Sequence, residues 1–348
     1  MTKVFVGMSG GVDSSLAAVL LVEQGYEVTG VYMKNWSQDL PGLKCPWAED
    51  LADAKRVAVQ LGIDFKVFDF EQEYRDRVVD YMIEEYKLGR TPNPDIMCNQ
   101  EVKFKLFLET ALATGADNIA TGHYARVHHD TSHNIYRLQR AKDENKDQTY
   151  FLARINGEAL GRTLFPLGEF TKNEVREMAK QRGLYTAAKK ESMGICFVGQ
   201  IGIREFLSQY VTTTHGDIID KDTQKVIGIH DGAIFYTLGQ RHGLNVGGGL
   251  PYYVVGKDMS HNIVYVSQNI NDENIWRRQI HLENMHWINS APKNLQKLHV
   301  RIRHRAPLIG CTLQGSTLQL SEPQRAVAAG QSAVLYQDAI CLGSGIIA

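Results

Sequence analysis

Apolar and polar residues alternate in regular blocks through the first half of the chain. The apolar runs "KVFVGM", "YEVTGVYM", "DFKVFDF" and "DNIATGH" are typical of buried strands. Between them, "SSLAAVLLVEQG", "EDLADAKRVAVQLG", "EYRDRVVDYMIEEYKLG" and "KFKLFLETALATG" have the spacing of helices and each ends in glycine. Alternation of this kind predicts an α/β fold with a parallel sheet, right-handed crossovers and helices on both faces.

The pattern changes in the second half. "EFTKNEVREMAKQRG" still predicts a helix, with Thr171 and Glu174 at the spacing of a capping box. After about residue 200 the chain is glycine-rich with short β-prone runs, and from about Arg277 short strands and turns predict a small β barrel or sandwich. We therefore predict a nucleotide-binding catalytic domain over 1–200, a central mostly-β domain over 201–275 and a β-barrel-like domain over 276–348.

Composition favours a cytoplasmic protein without a membrane segment. The 348 residues include 43% hydrophobic residues, but no apolar run has the length of a membrane span. The start, "MTKVFVGMSGG", lacks the long apolar region of a signal peptide. Five scattered cysteines are too few for a disulfide framework.

Charge is distributed unevenly along the chain. Residues 276–348 hold eight Lys and Arg against three Asp and Glu, a net charge of +5, which leaves −6 for residues 1–275. A basic last domain on an acidic body favours a polyanionic partner, although solubility alone also produces such a distribution.

The first strand runs into a glycine-rich turn, "GMSGGVDS", which is neither a Walker A loop nor a dinucleotide fingerprint. Gly10 and Gly11 permit a close backbone approach to an anion, and the following helix offers free N–H groups. Ser9 and Ser14 add hydroxyl donors. Because Asp13 repels phosphate unless a divalent ion lies between them, the loop implies Mg²⁺. The alternative is a simple strand-to-helix turn, which needs only one glycine.

This loop resembles the pyrophosphate-binding SGGxDS motif of the PP-loop ATPases, which cleave ATP between the α- and β-phosphates. The resemblance implies that the loop holds the leaving pyrophosphate and that ATP activates an oxygen by transfer of AMP.

Two cysteines are candidates for thiol chemistry. In "TPNPDIMCNQEVKF", Cys98 follows Asp95 by three residues, and the helical pattern begins just after the cysteine, where the helix dipole favours a thiolate. In "KKESMGICFVGQ", Cys196 follows two lysines, Lys189 and Lys190, that lower its pKa if they fold nearby. Each cysteine taken alone is equally compatible with a small buried apolar residue.

Taken together, these motifs resemble the family of tRNA-specific 2-thiouridylases. "GMSGGVDS", "NPDIMCN" and "ESMGICFVG" occur in that family's order, and "ATGHYAR", "KDQTYFL", "YTLGQRHGL" and "AGQSAVLY" extend the similarity over nearly the whole chain. The second cysteine motif departs slightly, with methionine where threonine or glutamine is frequent.

The resemblance implies a set of site residues. The residues matched to ATP binding are Gly7, Met8, Ser9, Gly10, Gly11, Val12, Asp13, Ser14, Met33 and Gly122. Those matched to tRNA contacts are Asn93, Pro94, Asp95, His123, Lys146, Asp147, Gln148, Arg303, His304 and Gln331. Cys98 matches the nucleophile, Cys196 the carrier of persulfide sulfur, and Asp95 the acid/base.

The activity implied is ATP-dependent 2-thiolation of the wobble uridine of tRNAs of the Lys, Glu and Gln type, with ATP and Mg²⁺. Adenylation of the C2 oxygen precedes attack by sulfur from a persulfide on Cys196, which a sulfur-relay protein or a cysteine desulfurase loads. Cys98 either attacks C2 or cleaves the persulfide, and the two thiols end as a disulfide.

In "KNLQKLHVRIRHR", Arg301, Arg303 and Arg305 alternate with other residues, so a strand would direct all three toward a tRNA backbone. A solvated strand face is the alternative. The stretch "HHDTSH" predicts a solvent loop, and Cys311 and Cys341 are predicted core residues.

Two rival functions share parts of this pattern. An ATP-dependent amide or amidine ligase for a small molecule has the same loop but no need of either cysteine or a basic last domain. A nucleotide-binding thiol sensor would release neither AMP nor pyrophosphate when tRNA is added.

Overall fold

The computed structural model describes residues 1–39, 45–190, 202–247, 249–269, 271–292 and 295–348. These residues form three sheets, arranged along the chain in the order that the sequence pattern predicts. Within the described ranges, no helix combines the length and apolar character needed to cross a membrane.

The first sheet has five parallel strands, which confirms the predicted fold class. Its spatial order is β3-β2-β1-β4-β7. Alternate residues of β1 face opposite sides: Val4 and Val6 pack into one core cluster and Phe5 into another. Helices therefore cover both faces of the sheet. The strands are β1 (Lys3–Gly7), β2 (Glu27–Lys34), β3 (Asp64–Asp69), β4 (Asn118–Thr121) and β7 (Thr163–Leu164).

Within the described ranges, ten α-helical segments accompany this sheet and lead out of it. Two π-helical stretches, Arg75–Val79 and Cys98–Leu106, join neighbouring segments into longer helices. The α-helices are α1 (Val12–Glu23), α2 (Trp47–Leu61), α3 (Glu71–Tyr74), α4 (Asp80–Lys87), α5 (Pro94–Met97), α6 (Phe107–Ala113), α7 (Thr149–Leu152), α8 (Gly157–Gly161), α9 (Lys172–Gln181) and α10 (Ile203–Leu207). The capping box predicted at Thr171 and Glu174 is present at the start of α9.

A β-hairpin leaves the first sheet and joins the last one. It consists of β5 (Ala125–Asp130) and β6 (Ile135–Arg140), so the predicted loop "HHDTSH" is partly wrong. His128 and His129 lie on β5, because their strand pairs in register with Arg137 and Tyr136. Only residues 131–134 form the turn.

The central sheet has four strands in the order β10-β11-β8-β9. Ile218, Val254 and Val264 lie in its own small core. Strands β8 and β11 are parallel, and the other pairs are antiparallel. The strands are β8 (Gly216–Asp220), β9 (Val226–His230), β10 (Tyr253–Asp258) and β11 (Ile263–Ser267).

The last sheet closes into a six-stranded antiparallel barrel, which decides between the predicted barrel and sandwich. Its order is β12-β15-β14-β13-β16-β17, and β17 pairs back with β12. Strand β6 of the hairpin adds to β17. The strands are β12 (Trp276–Trp287), β13 (Leu298–Arg301), β14 (Ile309–Gln314), β15 (Thr317–Arg325), β16 (Ser332–Gln337) and β17 (Ile340–Ile347). The domain boundaries at 200/201 and 275/276 stay predictions; Phe206 of α10, beyond the first of them, packs into the core of the first sheet.

Candidate active site

The glycine loop lies at the carboxyl end of β1, the edge where ligands of parallel sheets bind. Gly10 has φ +72°, in the left-handed region, and a Cβ there would collide with the backbone carbonyl of Asp50 at the start of α2. Two independent constraints therefore require glycine at this position. The turn brings the chain into α1 with its backbone accessible.

The amino end of α1 has the geometry of an anion cradle. Its N-cap is Gly11, which makes no side-chain capping bond, so the first N–H groups remain available to a ligand. The Ser14 hydroxyl accepts from the Ser9 N–H at 3.1 Å and donates to the Gly11 carbonyl at 3.1 Å. The Ser9 and Ser14 hydroxyls lie 3.3 Å apart. Backbone amides and hydroxyls together suit phosphate oxygens.

A lysine from a distant helix supplies the cation that the loop itself lacks. Lys172, the first residue of α9, places its Nζ 2.7 and 2.8 Å from the two carboxylate oxygens of Asp13. The Tyr124 hydroxyl donates to the same carboxylate at 2.8 Å. Lys172 is buried. The charge of Asp13 therefore gives no reason to expect Mg²⁺ beside it, because Lys172 already offsets that charge.

Met33 and Gly122, which are both predicted to line the nucleotide site, lie beside the glycine loop. The Met33 side chain approaches Gly7, where an added Cβ would lie 2.9 Å from its methyl carbon. Gly122 packs against the start of α1, and a Cβ there would lie 2.7 Å from the Ser14 nitrogen. The ends of β1, β2 and β4 thus converge on one site.

The helix that carries Cys98 begins earlier than the sequence pattern predicts. Asn93 is the N-cap, its side-chain oxygen accepts from the Ile96 N–H at 3.2 Å, and Pro94 is the first helical residue. Helical geometry then continues through Cys98 without a break. Asp95, in the first turn, therefore lies nearer the positive end of the dipole than Cys98 does, and the expected dipole effect on Cys98 is wrong.

Asp95, Lys103 and His123 share one environment. Burial raises the pKa of Asp95, and the charge of Lys103 opposes this shift. Burial, reinforced by Lys103, holds the pKa of His123 well below its usual value, so its ring is neutral at pH 7. His123 also contacts the Phe104 ring at 5.6 Å. A buried carboxyl group with a raised pKa is a candidate for proton transfer.

Cys98 is almost fully buried, with 1% of its surface exposed, in a core cluster that includes Ile96 and Phe107. Phe107, on the same helix, lies against Gly7 of the glycine loop. The helix with Asp95 and Cys98 therefore passes directly beside the nucleotide cradle.

The predicted persulfide carrier, Cys196, lies outside the described residues. Lys189, which precedes it and is predicted to lower its pKa, pairs with Asp50 at 2.8 Å and Asp53 at 2.6 Å. Cys311 and Cys341 are buried, as predicted for core residues, and burial raises the pKa of Cys311 to about 12.

The segment 146–148 is bonded within the protein. Asp147 is buried, and its carboxylate lies 3.1 Å from Arg301 and 3.4 Å from Arg140. The Gln148 side-chain oxygen accepts from the Tyr124 N–H at 2.8 Å. Lys146 is half-buried. Asp147 and Gln148 thus connect the hairpin, the loop end of β4 and the barrel.

The arginine row predicted on one strand does not form. Strand β13 ends at Arg301, and Arg305 adopts φ +63°, so the period of two stops where the chain turns. Arg301 is buried against Asp147 and the Tyr336 ring, whereas Arg303 and Arg305 are exposed. Only the two exposed arginines remain candidates for phosphate contacts.

We expect these arginines to separate into two classes on mutation. When log affinity for tRNA is plotted against log salt, the affinity falls. Replacing Arg303 and Arg305 by Gln should make this fall less steep by roughly 0.7–0.9 per lost phosphate contact, without loss of stability. Replacing Arg301 should cost about 2–4 kcal/mol of folding free energy, because buried Asp147 loses one of its two arginines. tRNA binding across a salt series and thermal unfolding measure the two effects; an unchanged salt slope for the double variant contradicts the assignment.

His304 and Gln331 contact the elements around the helix that carries Asp95 and Cys98. Burial, with Arg305 and Arg301 nearby, lowers the pKa of His304 to about 4, so a contact with tRNA would use a neutral ring. That ring lies 4.4 Å from the ring of Phe151. Gln331 donates to the backbone carbonyls of Thr91 at 2.6 Å and Pro92 at 3.4 Å.

Lys172 and Tyr124 are members of the site that sequence reasoning missed. The capping box marked the start of α9 and so fixed the position of Lys172, but it gave no indication of a partner 159 residues away.

Known proteins match the chain over most of its length. Three family models match in succession: "tRNA methyl transferase HUP domain" over residues 2–200, "tRNA methyl transferase PRC-barrel domain" over 204–268 and "Aminomethyltransferase beta-barrel domain" over 277–347. A solved 4-thiouridine synthetase–RNA complex with bound ATP is 20% identical, with a TM-score of 0.39 over 60% of this chain and 50% of that chain. A structural similarity this weak supports no functional conclusion.

Two curated relatives are much more similar. The tRNA-specific 2-thiouridylase MnmA of Alkaliphilus oremlandii is 47% identical over 99% of this chain and 97% of its own length. The protein of the same name from Bacillus cytotoxicus is 46% identical over 99% of this chain and 94% of its own. The chain therefore belongs to the tRNA-specific 2-thiouridylase family, whose members are ATP-binding sulfurtransferases.

Proposed function

We propose that this enzyme replaces the C2 oxygen of the tRNA wobble uridine by sulfur at the expense of ATP. The observation that carries the proposal is the position of the helix bearing Asp95 and Cys98. It runs beside the anion cradle, with Phe107 against Gly7 and Phe104 against His123. A site for phosphate and a thiol thus lie on neighbouring elements, as activation followed by sulfur transfer requires.

The cradle fits the phosphates of ATP. In the proposal, the amino end of α1, the two serine hydroxyls and Lys172 bind the β- and γ-phosphates, while Met33 and Gly122 border the adenosine. The uridine C2 oxygen attacks the α-phosphorus, the bond to the bridging oxygen breaks and pyrophosphate leaves. Asp95 takes the proton that the uridine loses. Mg²⁺ would enter the site bound to the phosphates of ATP.

In the second step, sulfur is transferred to C2 and the two cysteine thiols are oxidised. A relay protein or cysteine desulfurase loads Cys196 as a persulfide, whose outer sulfur becomes the 2-thio group as the C2–O bond breaks and AMP leaves. The two electrons that reduce this sulfur come from the thiols of Cys98 and Cys196, which become a disulfide that an external reductant must open. Cys98 either attacks C2 first or cleaves the persulfide to release sulfide. The proposed site of action is the cytoplasm.

The proposed tRNA-binding surface lies where the barrel meets the helix that carries Asp95 and Cys98, which we call the catalytic helix. Arg303 and Arg305 offer exposed positive charge there, and His304 and Gln331 lie between the barrel and the elements beside Asp95. Asn93 and Pro94 form the first turn that carries Asp95, so a base placed against Asp95 also meets them.

The direct test is a reaction of purified enzyme with unmodified tRNA, ATP and inorganic sulfide as a stand-in donor, followed by mass spectrometry of the nucleosides. We expect 2-thiouridine at the wobble position and one AMP for each uridine converted. Because two matching family models carry a methyltransferase description, a parallel reaction with S-adenosylmethionine serves as control and should give no methylated nucleoside. A methylated product, or AMP formation with a small-molecule amine and no tRNA, contradicts the proposal.

A further inference from the structure

The central region and the barrel both contact residues 89–92, the short link between α4 and the helix that carries Asp95. The side chain of Met259, which directly follows strand β10 of the central sheet, fills the space where a Cβ of Gly89 would lie. The Thr91 hydroxyl lies 3.1 Å from that of Thr237, also in the central region. Arg90 lies 3.4 Å from Glu283 of barrel strand β12. The link is therefore held by parts of the chain that are remote in sequence.

The barrel makes the most extensive of these contacts through Gln331. The Thr91 N–H donates to the Ala329 carbonyl at 2.8 Å, and the Gln331 amide donates to Thr91 at 2.6 Å. Gly330, with φ +89°, allows the close approach, since a Cβ there would lie 2.9 Å from the Thr91 nitrogen. Gln331 is itself fixed, because its carbonyl accepts from the Ile347 N–H at 2.8 Å in the barrel.

The link leads directly into the catalytic helix, so its contacts determine where the start of that helix lies. Pro92 is bonded at its carbonyl by Gln331 at 3.4 Å, and the next residue, Asn93, caps the helix. Asp95 lies in the first turn and Cys98 in the second. Pro92 and Pro94 restrict the backbone, so a displacement at Thr91 is passed on to the helix start rather than absorbed.

A second connection reaches the same helix from the barrel. The His304 ring packs on Phe151, and the Phe151 carbonyl accepts from the Asn99 side chain at 3.1 Å. Asn99 follows Cys98 directly. Gln331 and His304 thus hold the helix start at two points, one before Asp95 and one after Cys98.

We propose that Gln331 is a positioning residue, which fixes the start of the catalytic helix to the barrel and so aligns Asp95 and Cys98 when tRNA engages the barrel. This role rests on the proposed function for its catalytic consequence, and it differs from a simple contact with tRNA. A contact residue alters tRNA affinity, whereas a positioning residue alters turnover and the local stability of the helix start.

Gln331→Met keeps the shape of the side chain and removes the donor, and Gln331→Lys restores a donor. Gln324→Met is the matched control, because the Gln324 amide bonds only its neighbouring Pro323 carbonyl among the contacts described. In the full-length protein without ligands, hydrogen exchange of the peptide spanning 91–100 should become about five- to tenfold faster in Gln331→Met. Gln331→Lys and Gln324→Met should exchange as the unchanged protein does.

With tRNA and ATP present, Gln331→Met should lower kcat about tenfold while changing the tRNA Kd less than threefold. The exchange measurement needs no thiolation, so it tests the positioning role even if the proposed reaction is wrong. Unchanged exchange at 91–100 with weakened tRNA binding overturns the proposal in favour of a contact role. Equal acceleration in peptides of β14 and β15 also overturns it, because Gln331 would then support the barrel as a whole.

Discussion

Replacing Lys172 by Met should reduce kcat/KM for ATP at least a hundredfold, which corresponds to about 2.7 kcal/mol of transition-state stabilisation. The variant loses the ammonium group that bonds both carboxylate oxygens of Asp13. It also leaves an uncompensated carboxylate facing the site proposed for the triphosphate, where charge develops as pyrophosphate departs. Initial rates of AMP release at varied ATP concentration, with saturating tRNA, measure the loss.

Lys180→Met is the control for this variant, because Lys180 lies on the same helix α9 but is exposed. It should retain full activity. The double variant Lys172→Met with Asp13→Asn gives a sharper test, because removal of the carboxylate also removes its repulsion of phosphate. ATP should therefore bind the double variant more tightly than Lys172→Met alone. Tighter binding by the single variant would show that the Asp13 carboxylate favours ATP binding, and would contradict the proposed role of Lys172 in offsetting it.

The residues that determine the first sheet were visible in the sequence because they act locally. Apolar runs of strand length and a helix after each of them define the order of elements, and paired glycines mark the turn after β1. The Lys172–Asp13 bond was not visible, because it depends on how α9 packs beside α1 in three dimensions. Sequence spacing reports contacts within an element, whereas a bond across 159 residues is a property of the tertiary fold.

The wrong predictions have physical causes of the same kind. The alternation of Arg301, Arg303 and Arg305 has a strand's period, but Asp147 buries the first of them and the chain then turns through the left-handed conformation of Arg305. The hairpin β5–β6 looked like a loop because His128 and His129 are polar, yet its pairing with β17 satisfies the backbone. In both cases long-range pairing overrides the local pattern.

The start of the helix that carries Cys98 illustrates a subtler limit. The two prolines in "TPNPDIMC" favour a stiff approach to a helix that begins after the cysteine. Instead, Asn93 caps the helix and Pro94 occupies its first position, where a missing N–H costs nothing. The same residues therefore predict either boundary, and the hydrogen bond from the Ile96 N–H to the Asn93 side-chain oxygen decides between them.

Replacing Cys98 by Ser should abolish thiolation, with a loss of at least about a thousandfold, because an alcohol can neither cleave a persulfide nor form the final disulfide. The substitution changes one buried atom, so the fold and the nucleotide cradle should persist. Cys45→Ser is the matched control, because Cys45 is a free cysteine that is only partly buried. It should remain active within about twofold, since it removes no group that the proposed reaction uses and a partly exposed substitution usually changes little.

The products of Cys98→Ser separate the two halves of the reaction. Because activation depends on the cradle and Lys172, tRNA-dependent pyrophosphate release should persist in a single turnover while 2-thiouridine is absent. In the unchanged protein loaded with persulfide, one turnover without reductant should leave a Cys98–Cys196 disulfide, detectable by mass spectrometry of peptides, and the variant should leave none. Full thiolation by Cys98→Ser would exclude the cysteine from sulfur transfer. Loss of pyrophosphate release together with thiolation would instead assign Cys98 to the formation of the nucleotide site, since activation would then require its thiol.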